Sequence, residues 1–297
     1  MLSRSAPFGR VLTAMVTPFA ADGSLDLDRA AALADRLVSQ GNDGLVISGT
    51  TGESPTTSRE EKQDLLRAVV DAVGDRVHVL AGVGTNDTAH SVELARDAEK
   101  AGAAGLLAVT PYYSKPSQAG IIAHTLAIAE STALPMMLYD IPGRTGVALS
   151  TATILELSRH PQVVALKDAK NDLAATSQVL AGSELAVYSG DDVLNLPLLA
   201  LGAVGFVSVV SHVATPLLVE LVQAYDAGDV VRARDVNLRL QPLYVGLFRT
   251  QGVILSKAAL GLLGFPVGPV RMPLVDATEE QIAVLQQDLT DAGLALA

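Results

Sequence analysis

The sequence has no cysteine and no tryptophan, and aromatic residues make up only 4% of its 297 residues. The lack of cysteine excludes disulfide bonds, cysteine-ligated zinc, iron–sulfur clusters and thiol catalysis. Lysine and arginine together number 21 against 32 acidic residues, so the formal net charge is −11. This balance argues against nucleic acid and anionic membrane surfaces as partners, because both are bound by a basic face.

Long apolar runs are also missing. No window approaches the roughly 18 uninterrupted apolar residues that are typical of a membrane span, and residues 1–7 lack the apolar stretch of a signal peptide. We therefore expect a cytoplasmic protein with no membrane partner. The 5 histidines are never paired at the spacing of metal ligands, so we expect no metal site.

Short apolar segments that end in polar or glycine residues recur along the chain, and stretches with helical spacing separate them. Their starts lie roughly 20 to 35 residues apart, which is about one strand–helix unit each. This pattern predicts a (β/α)8 TIM barrel, and a doubly wound sheet is the alternative. The predicted strand segments are Val11–Phe19, Gly44–Gly49, His78–Gly84, Gly105–Tyr113, Pro135–Pro142, Val163–Ala169, Ala186–Asp192 and Gly205–His212.

After His212 the strand pattern stops. Thr278, with Glu280 and Gln281 nearby, predicts an N-terminal cap for the last helix. We predict a catalytic barrel over residues 1–228 and a C-terminal helical extension over residues 229–297 that packs on it. The helices predicted in this part of the chain are Pro216–Ala227, Asp229–Phe248, Val253–Leu263 and Thr278–Ala292.

Lys167 closes the apolar run Val163–Leu166 and is the first candidate for chemistry. Burial disfavours the charged form of a lysine, and a neutral amine can attack a ketone to form a Schiff base. The alternative is a lysine that reaches past the strand end into water. Asp168 is not expected to activate Lys167, because adjacent strand residues point to opposite faces.

Other polar residues follow the predicted strands, and in a barrel the chemistry lies where the strands end. Thr50–Thr51 could serve catalysis or cap a helix, and Tyr112–Tyr113 could serve catalysis or pack at an interface. Arg144 lies in a glycine-flanked loop and suits a carboxylate, although it could be a solvated charge. Asp191–Asp192 could cap the following helix or serve catalysis, and capping is the expected role.

Several motifs together resemble the dihydrodipicolinate synthase family, also called the 4-hydroxy-tetrahydrodipicolinate synthases, within the pyruvate-dependent class I aldolases. The resemblance runs over essentially the whole chain. The motifs that carry it are Gly49–Ser54, Val109–Tyr113, Leu138–Gly146 and Leu166–Ala169.

The resemblance implies a role for each matching residue. Lys167 would form a Schiff base with pyruvate, and Tyr139 would act there as general acid and base. Thr50 would relay protons between Tyr139 and Tyr113, and a neighbouring subunit would supply Tyr113. Thr51, with the backbone of Thr50, would hold the pyruvate carboxylate.

The resemblance also implies the second substrate and the assembly. Arg144 would bind the carboxylate of L-aspartate 4-semialdehyde, while Gly190 and Val207 would line the pyruvate site through their backbones. The family acts in the diaminopimelate route to lysine, requires no metal or organic cofactor, and is usually a homotetramer built from two tight dimers.

Two other functions are compatible with these motifs. The first is a sister aldolase that cleaves a 2-keto acid to pyruvate and an aldehyde, and Arg144 argues against it because such aldolases generally lack an arginine there. The second is a barrel that binds ligands without catalysis. An intact set of Lys167, Tyr139, Thr50 and Tyr113 argues against that function.

The chain departs from the lysine-inhibited members of the family at Arg59, Lys62 and His90, where those members usually carry histidine or glutamate. Added positive charge should repel the amino group of a lysine effector, so we expect weak or absent lysine inhibition. The segment Thr250–Val253 departs from the Asn-Pro pattern of many members, and no consequence is predicted for it.

Overall fold

The computed structural model describes residues 5–297, and in them eight parallel strands close into one barrel in the order of the chain. The strands are β1 (Val11–Ala14), β2 (Gly44–Ile47), β3 (His78–Gly82), β4 (Gly105–Val109), β5 (Met136–Asp140), β6 (Val163–Asp168), β7 (Ala186–Ser189) and β8 (Gly205–Ser208). β8 closes on β1 with Leu12 paired to Val207. The closed barrel confirms the predicted TIM barrel, because a doubly wound sheet is open.

Helices follow the strands and surround the barrel. They are α1 (Leu27–Ser39), α2 (Arg59–Val73), α3 (Thr88–Lys100), α4 (Gln118–Ala129), α5 (Pro142–Thr145), α6 (Thr151–Leu157), α7 (Leu173–Gly182), α8 (Asn195–Leu201), α9 (Ser211–Asp226), α10 (Val230–Gly246), α11 (Gly252–Leu262) and α12 (Glu279–Asp291). Thr278 and Gln281 form a capping box at the start of α12, which confirms the predicted cap. Between residues 5 and 297, no helix is both long and apolar enough to cross a membrane.

The alternation of side chains along each strand divides the core into an interior layer and an outer layer. Leu12, Val46 and Leu80 belong to the cluster inside the barrel. On β6, Ala165 joins this interior cluster, whereas Leu166 packs in the outer cluster against the helices. Lys167 therefore returns to the interior face of the barrel, as the strand period requires.

The C-terminal helices share a core with one side of the barrel. Phe206 of β8 lies in the same buried cluster as Leu218 of α9, Leu243 of α10 and Leu289 of α12. The prediction that strands stop after His212 is confirmed in the described residues, and the four helices lie within two or three residues of their predicted ends except that α9 begins at Ser211. The division at residues 228 and 229 stays a prediction.

A buried imidazole joins the ends of β1 and β8. The backbone N–H of Val16 donates to Nε2 of His212 at 3.0 Å, and Nδ1 of His212 lies 2.8 Å from the carbonyl oxygen of Val209. Burial lowers the pKa of His212 to about 4, so the ring is neutral at neutral pH and donates from Nδ1. His212 is therefore part of the fold at this rim. These contacts also show why β1 is shorter than the predicted segment Val11–Phe19.

Candidate active site

Lys167 and Tyr139 meet at the carboxyl ends of β6 and β5. The two residues are paired in register, so both side chains lie on the interior face of the barrel. The amino group of Lys167 lies 4.1 Å from the centre of the Tyr139 ring. Lys167 is 5% exposed and Tyr139 is 4% exposed. The predicted pairing of an amine with a phenol is therefore present, with both side chains buried.

Gly190, at the end of β7, packs against the Lys167 side chain. A Cβ atom at Gly190 would lie 2.8 Å from Cγ and 3.0 Å from Cε of Lys167. Because any Cβ atom at position 190 would crowd the Lys167 side chain, only glycine fits there without a shift of the lysine. Asp168 points away from the site, since its carboxylate accepts from the backbone N–H of Lys170 at 3.0 Å and from the hydroxyl of Thr176. It is thus not placed to activate Lys167.

The loop after β2, residues 48–53, carries Thr50 and Thr51. Ser48 and Glu53 at its two ends both have left-handed backbone conformations, with φ of 58° and 54°. Such conformations are strained for residues other than glycine and persist only where surrounding contacts hold them. The hydroxyl of Thr17 donates to the carbonyl oxygen of Gly52 at 2.6 Å and is one of these contacts.

Tyr113 projects away from its own chain. It follows β4, has a left-handed φ of 69°, and is 88% exposed. Within residues 5–297 of this single chain, no hydrogen bond joins the hydroxyls of Tyr113, Thr50 and Tyr139. Within the single chain, this phenol therefore lies in solvent.

Arg144 lies on the short helix α5, directly after β5. Its Nη2 is 3.4 Å from Oε1 of Gln251 at the start of α11. Asp140 helps to hold the segment, because its carboxylate accepts from the backbone N–H of Leu149 at 3.1 Å. Burial raises the pKa of Asp140 to about 6. The guanidinium is otherwise exposed and free to meet a carboxylate.

These loops enclose a cavity of about 670 Å³ at the rim of the barrel, and Thr50, Tyr113, Tyr139 and Arg144 all line it. Its charged lining residues, among those described, are Lys115 and Arg144, which are both cationic. Lys167 lies against the Tyr139 ring, and Gly190 lies beside Lys167. Lys167 and Gly190 meet the cavity only through Tyr139 and are not among its lining residues. Thr51 and Val207 are buried and do not line it either, although Val207 belongs to the interior cluster.

The sequence-based interpretation missed one residue that lines the cavity and one that contacts Arg144. Lys115 lies two positions after Tyr113, so its place at the end of β4 was the available signal. Gln251 lies in the segment that departs from the family pattern, but only the folded chain shows that its amide meets Arg144.

The expected helix cap at Asp191–Asp192 is wrong. Asp191 makes no side-chain capping bond, and instead its carboxylate accepts from the Asn171 amide at 2.9 Å. The Asp192 carboxylate accepts from the backbone N–H groups of Val209 and Val210 at 2.9 Å and 3.0 Å. Asp192 thus holds the turn after β8, and it meets the helix that follows it only through the side-chain amide of Asn195, which donates to it at 3.0 Å, and not by capping a backbone N–H of that helix. Burial raises the pKa of this carboxyl group.

No group of 3 or more histidine, aspartate or glutamate side chains within residues 5–297 is arranged to hold a metal ion. A closed (β/α)8 barrel with a buried lysine beneath a tyrosine ring at its catalytic rim defines a lyase of the Schiff-base-forming, class I aldolase type. The chain belongs to the dihydrodipicolinate synthetase family, whose model matches residues 7–292.

Known proteins resemble the chain over nearly its full length. The 4-hydroxy-tetrahydrodipicolinate synthase 2 of Streptomyces coelicolor is 62% identical and aligns over 98% of this chain and 97% of its own. The corresponding synthase of Acidothermus cellulolyticus is 63% identical, over 98% and 94% of the two chains. The crystal structure of the Cyanidioschyzon merolae enzyme with lysine bound has a TM-score of 0.96 at 42% identity and covers 98% of this chain and 100% of that one.

Replacing Gly190 by alanine should slow Schiff-base formation by about tenfold or more, because a small displacement of a reacting group is costly. The new Cβ would lie 2.8 Å from Cγ of Lys167. The measurement is the rate at which borohydride traps pyruvate on the protein. Gly261→Ala is the matched control, since a Cβ at Gly261 meets no atom within 4 Å. Equal trapping rates in the two variants would contradict the expected crowding.

Proposed function

We propose that this chain is a 4-hydroxy-tetrahydrodipicolinate synthase that condenses pyruvate with L-aspartate 4-semialdehyde, in the diaminopimelate route to lysine. The observation that carries the proposal is the buried amine of Lys167 against the ring of Tyr139, beside a cavity whose charged lining residues are cationic. Both substrates carry a carboxylate, so a cationic cavity suits them.

In the proposed reaction, the Lys167 amine attacks the ketone carbon of pyruvate, and water leaves to give a protonated imine. The imine withdraws electrons, so the pyruvate methyl group loses a proton and becomes an enamine. The enamine carbon attacks the aldehyde carbon and forms the new bond. The amino group of the second substrate then attacks the imine carbon, closes the ring and releases Lys167.

Hydroxyl groups near Lys167 can move the protons that these steps require. The Tyr139 ring lies against the amine, and its phenol would take and return the proton at that centre. Thr50 lines the same cavity and would pass protons between Tyr139 and Tyr113. Thr51 would bind the pyruvate carboxylate, and Gly190 with Val207 would present their backbones to it.

Arg144 would select the second substrate. Its guanidinium lines the cavity and can bind a carboxylate through two parallel hydrogen bonds. A sister aldolase that accepts a long polyol substrate has no use for a cation at this position. Arg144 therefore favours a short aldehyde with its own carboxylate.

We also propose that the enzyme is a homotetramer built from two dimers, in which Tyr113 enters the partner's site. Support comes from its 88% exposure on strained backbone beside the cavity of its own chain. A cytoplasmic location, a lack of any cofactor, and a barrel over residues 1–228 followed by a helical region over residues 229–297 remain part of the proposal.

Lys167→Ala should abolish turnover of pyruvate with aspartate semialdehyde and should also abolish borohydride trapping of pyruvate. Arg144→Ala should keep trapping while the KM for the semialdehyde rises by about tenfold or more, because a charged hydrogen-bonding pair is lost. Coupled assays with the semialdehyde and with uncharged aldehydes provide the measurement. Arg144→Ala with an unchanged preference between these aldehydes would contradict the proposed role.

Co-expression of Tyr113→Phe and Lys167→Ala subunits should restore activity that each homomer lacks. Only a Tyr113→Phe subunit with a Lys167→Ala partner would combine an intact Lys167 with an intact Tyr113. About half of randomly formed dimers are hybrids with one such site, so recovery should reach about a quarter of the wild-type activity. No recovery, in hybrids confirmed by mass, would contradict a Tyr113 that is shared between subunits. Sedimentation then distinguishes a dimer from a tetramer.

Lysine should inhibit weakly or not at all. Arg59 pairs with Asp97 at 2.5 Å, and Nζ of Lys62 donates to the carbonyl oxygens of Ser54 and Thr57, so cations occupy this region already. Burial lowers the pKa of Lys62 to about 8, which still leaves it mostly charged at neutral pH. Steady-state rates with millimolar lysine are the measurement, and half-inhibition well below a millimolar would contradict the expectation.

A further inference from the structure

Glu53 is a buried carboxylate directly after the loop that carries Thr50 and Thr51. The residue is 3% exposed and has a left-handed backbone conformation. A buried charge is costly unless it is paired, and a left-handed glutamate adds backbone strain. A simple turn at this position would require neither a buried charge nor a left-handed glutamate. The contacts of the Glu53 carboxylate therefore indicate its role.

The carboxylate of Glu53 binds two residues that lie more than 200 positions later in the chain. Its Oε1 lies 2.7 Å from Nζ of Lys257 on α11, and its Oε2 accepts from the backbone N–H of Arg271 at 2.8 Å. Lys257 is itself 5% exposed. The C-terminal region thus holds the loop through one buried ion pair and one hydrogen bond.

Further contacts fix these two partners. Nζ of Lys257 also donates to the carbonyl oxygen of Pro269 at 2.6 Å. The Arg271 guanidinium donates to the carbonyl oxygen of Thr56 at 2.8 Å and to the carboxylate of Glu61, with a shortest distance of 2.6 Å. These bonds attach the C-terminal region to both ends of the turn that joins the loop to α2.

We propose that Glu53 is a positioning residue, and that Lys257 and Arg271 act through it to hold Thr50 and Thr51 where pyruvate binds. The inference rests on the proposed function for the identity of the ligand. Its specific consequence is that the C-terminal region contributes to the binding of pyruvate as well as to stability. Arg144 lies on another loop, so the KM for the second substrate should respond much less.

The KM for pyruvate separates this role from a purely structural one, because loss of folded enzyme lowers the apparent kcat without changing KM. Glu53→Gln should raise the pyruvate KM by about tenfold or more, since a misplacement of about 1 Å can cost up to a hundredfold. The KM for aspartate semialdehyde should stay within about twofold. A folded Glu53→Gln variant with the wild-type pyruvate KM would overturn the proposal.

The double variant Glu53→Met/Lys257→Met keeps the test decisive if the single variant does not fold. Replacing both members of a buried ion pair by apolar side chains of similar size leaves no unpaired charge, so Tm should recover. The pyruvate KM should nevertheless stay raised, because the link to the loop is lost. A double variant in which Tm and the pyruvate KM both return to wild-type values would also overturn the proposal.

Asp288→Asn is the matched control. Asp288 is a buried carboxylate of the same C-terminal region and pairs with Arg249 at a distance from the loop. This variant should lower Tm while the pyruvate KM stays unchanged, and an equal rise in KM would count against a specific role for Glu53. Half-saturation of borohydride trapping by pyruvate gives the same comparison without the second substrate. A wild type that traps pyruvate but does not turn over the semialdehyde would refute the proposed function alone.

Discussion

The contact between the Lys167 amine and the Tyr139 ring is the interaction on which the rest of the site depends. Adjacent parallel strands place both side chains on the interior face, where both are buried. Lys167 and Tyr139 lie near the carboxyl ends of their strands, and the segments that carry Thr50, Tyr113 and Arg144 begin at the same rim, because closed parallel strands end together. Because the barrel already holds Lys167 and Tyr139 in place, catalysis depends on the positions of the loops around them.

Features that depend on neighbours along the chain could be predicted from the sequence. The strand starts, the cap at Thr278 and the opposite directions of Lys167 and Asp168 follow from spacing and from a period of two, whereas β1, β4, β7 and β8 end three or more residues before their predicted ends. Features that join distant positions could not be predicted. Gln251 reaches Arg144 across 107 positions, and Asp192 accepts from backbone N–H groups in the turn after β8 instead of from those of the following helix. A single sequence contains no signal for such pairs.

Because the protein as a whole is acidic, the cavity must carry local positive charge to attract anionic substrates. A protein with a formal net charge of −11 repels anionic substrates over most of its surface. Attraction must then be local, and the charged lining residues of the cavity are Lys115 and Arg144. Acidic residues near the rim are occupied elsewhere, since Asp168 binds Thr176 and Asp192 binds backbone N–H groups. The site thereby stays cationic in an acidic protein.

Strained backbone conformations at the rim of the barrel are held in place by contacts from the C-terminal region. Ser48, Glu53 and Tyr113 all have left-handed backbone conformations, which isolated loops would leave for relaxed ones. For the loop after β2, the opposing contacts come from Lys257 and Arg271, beyond the last strand. A barrel that ended with its eighth unit would lack these contacts. The C-terminal region is therefore needed to complete the site as well as the core.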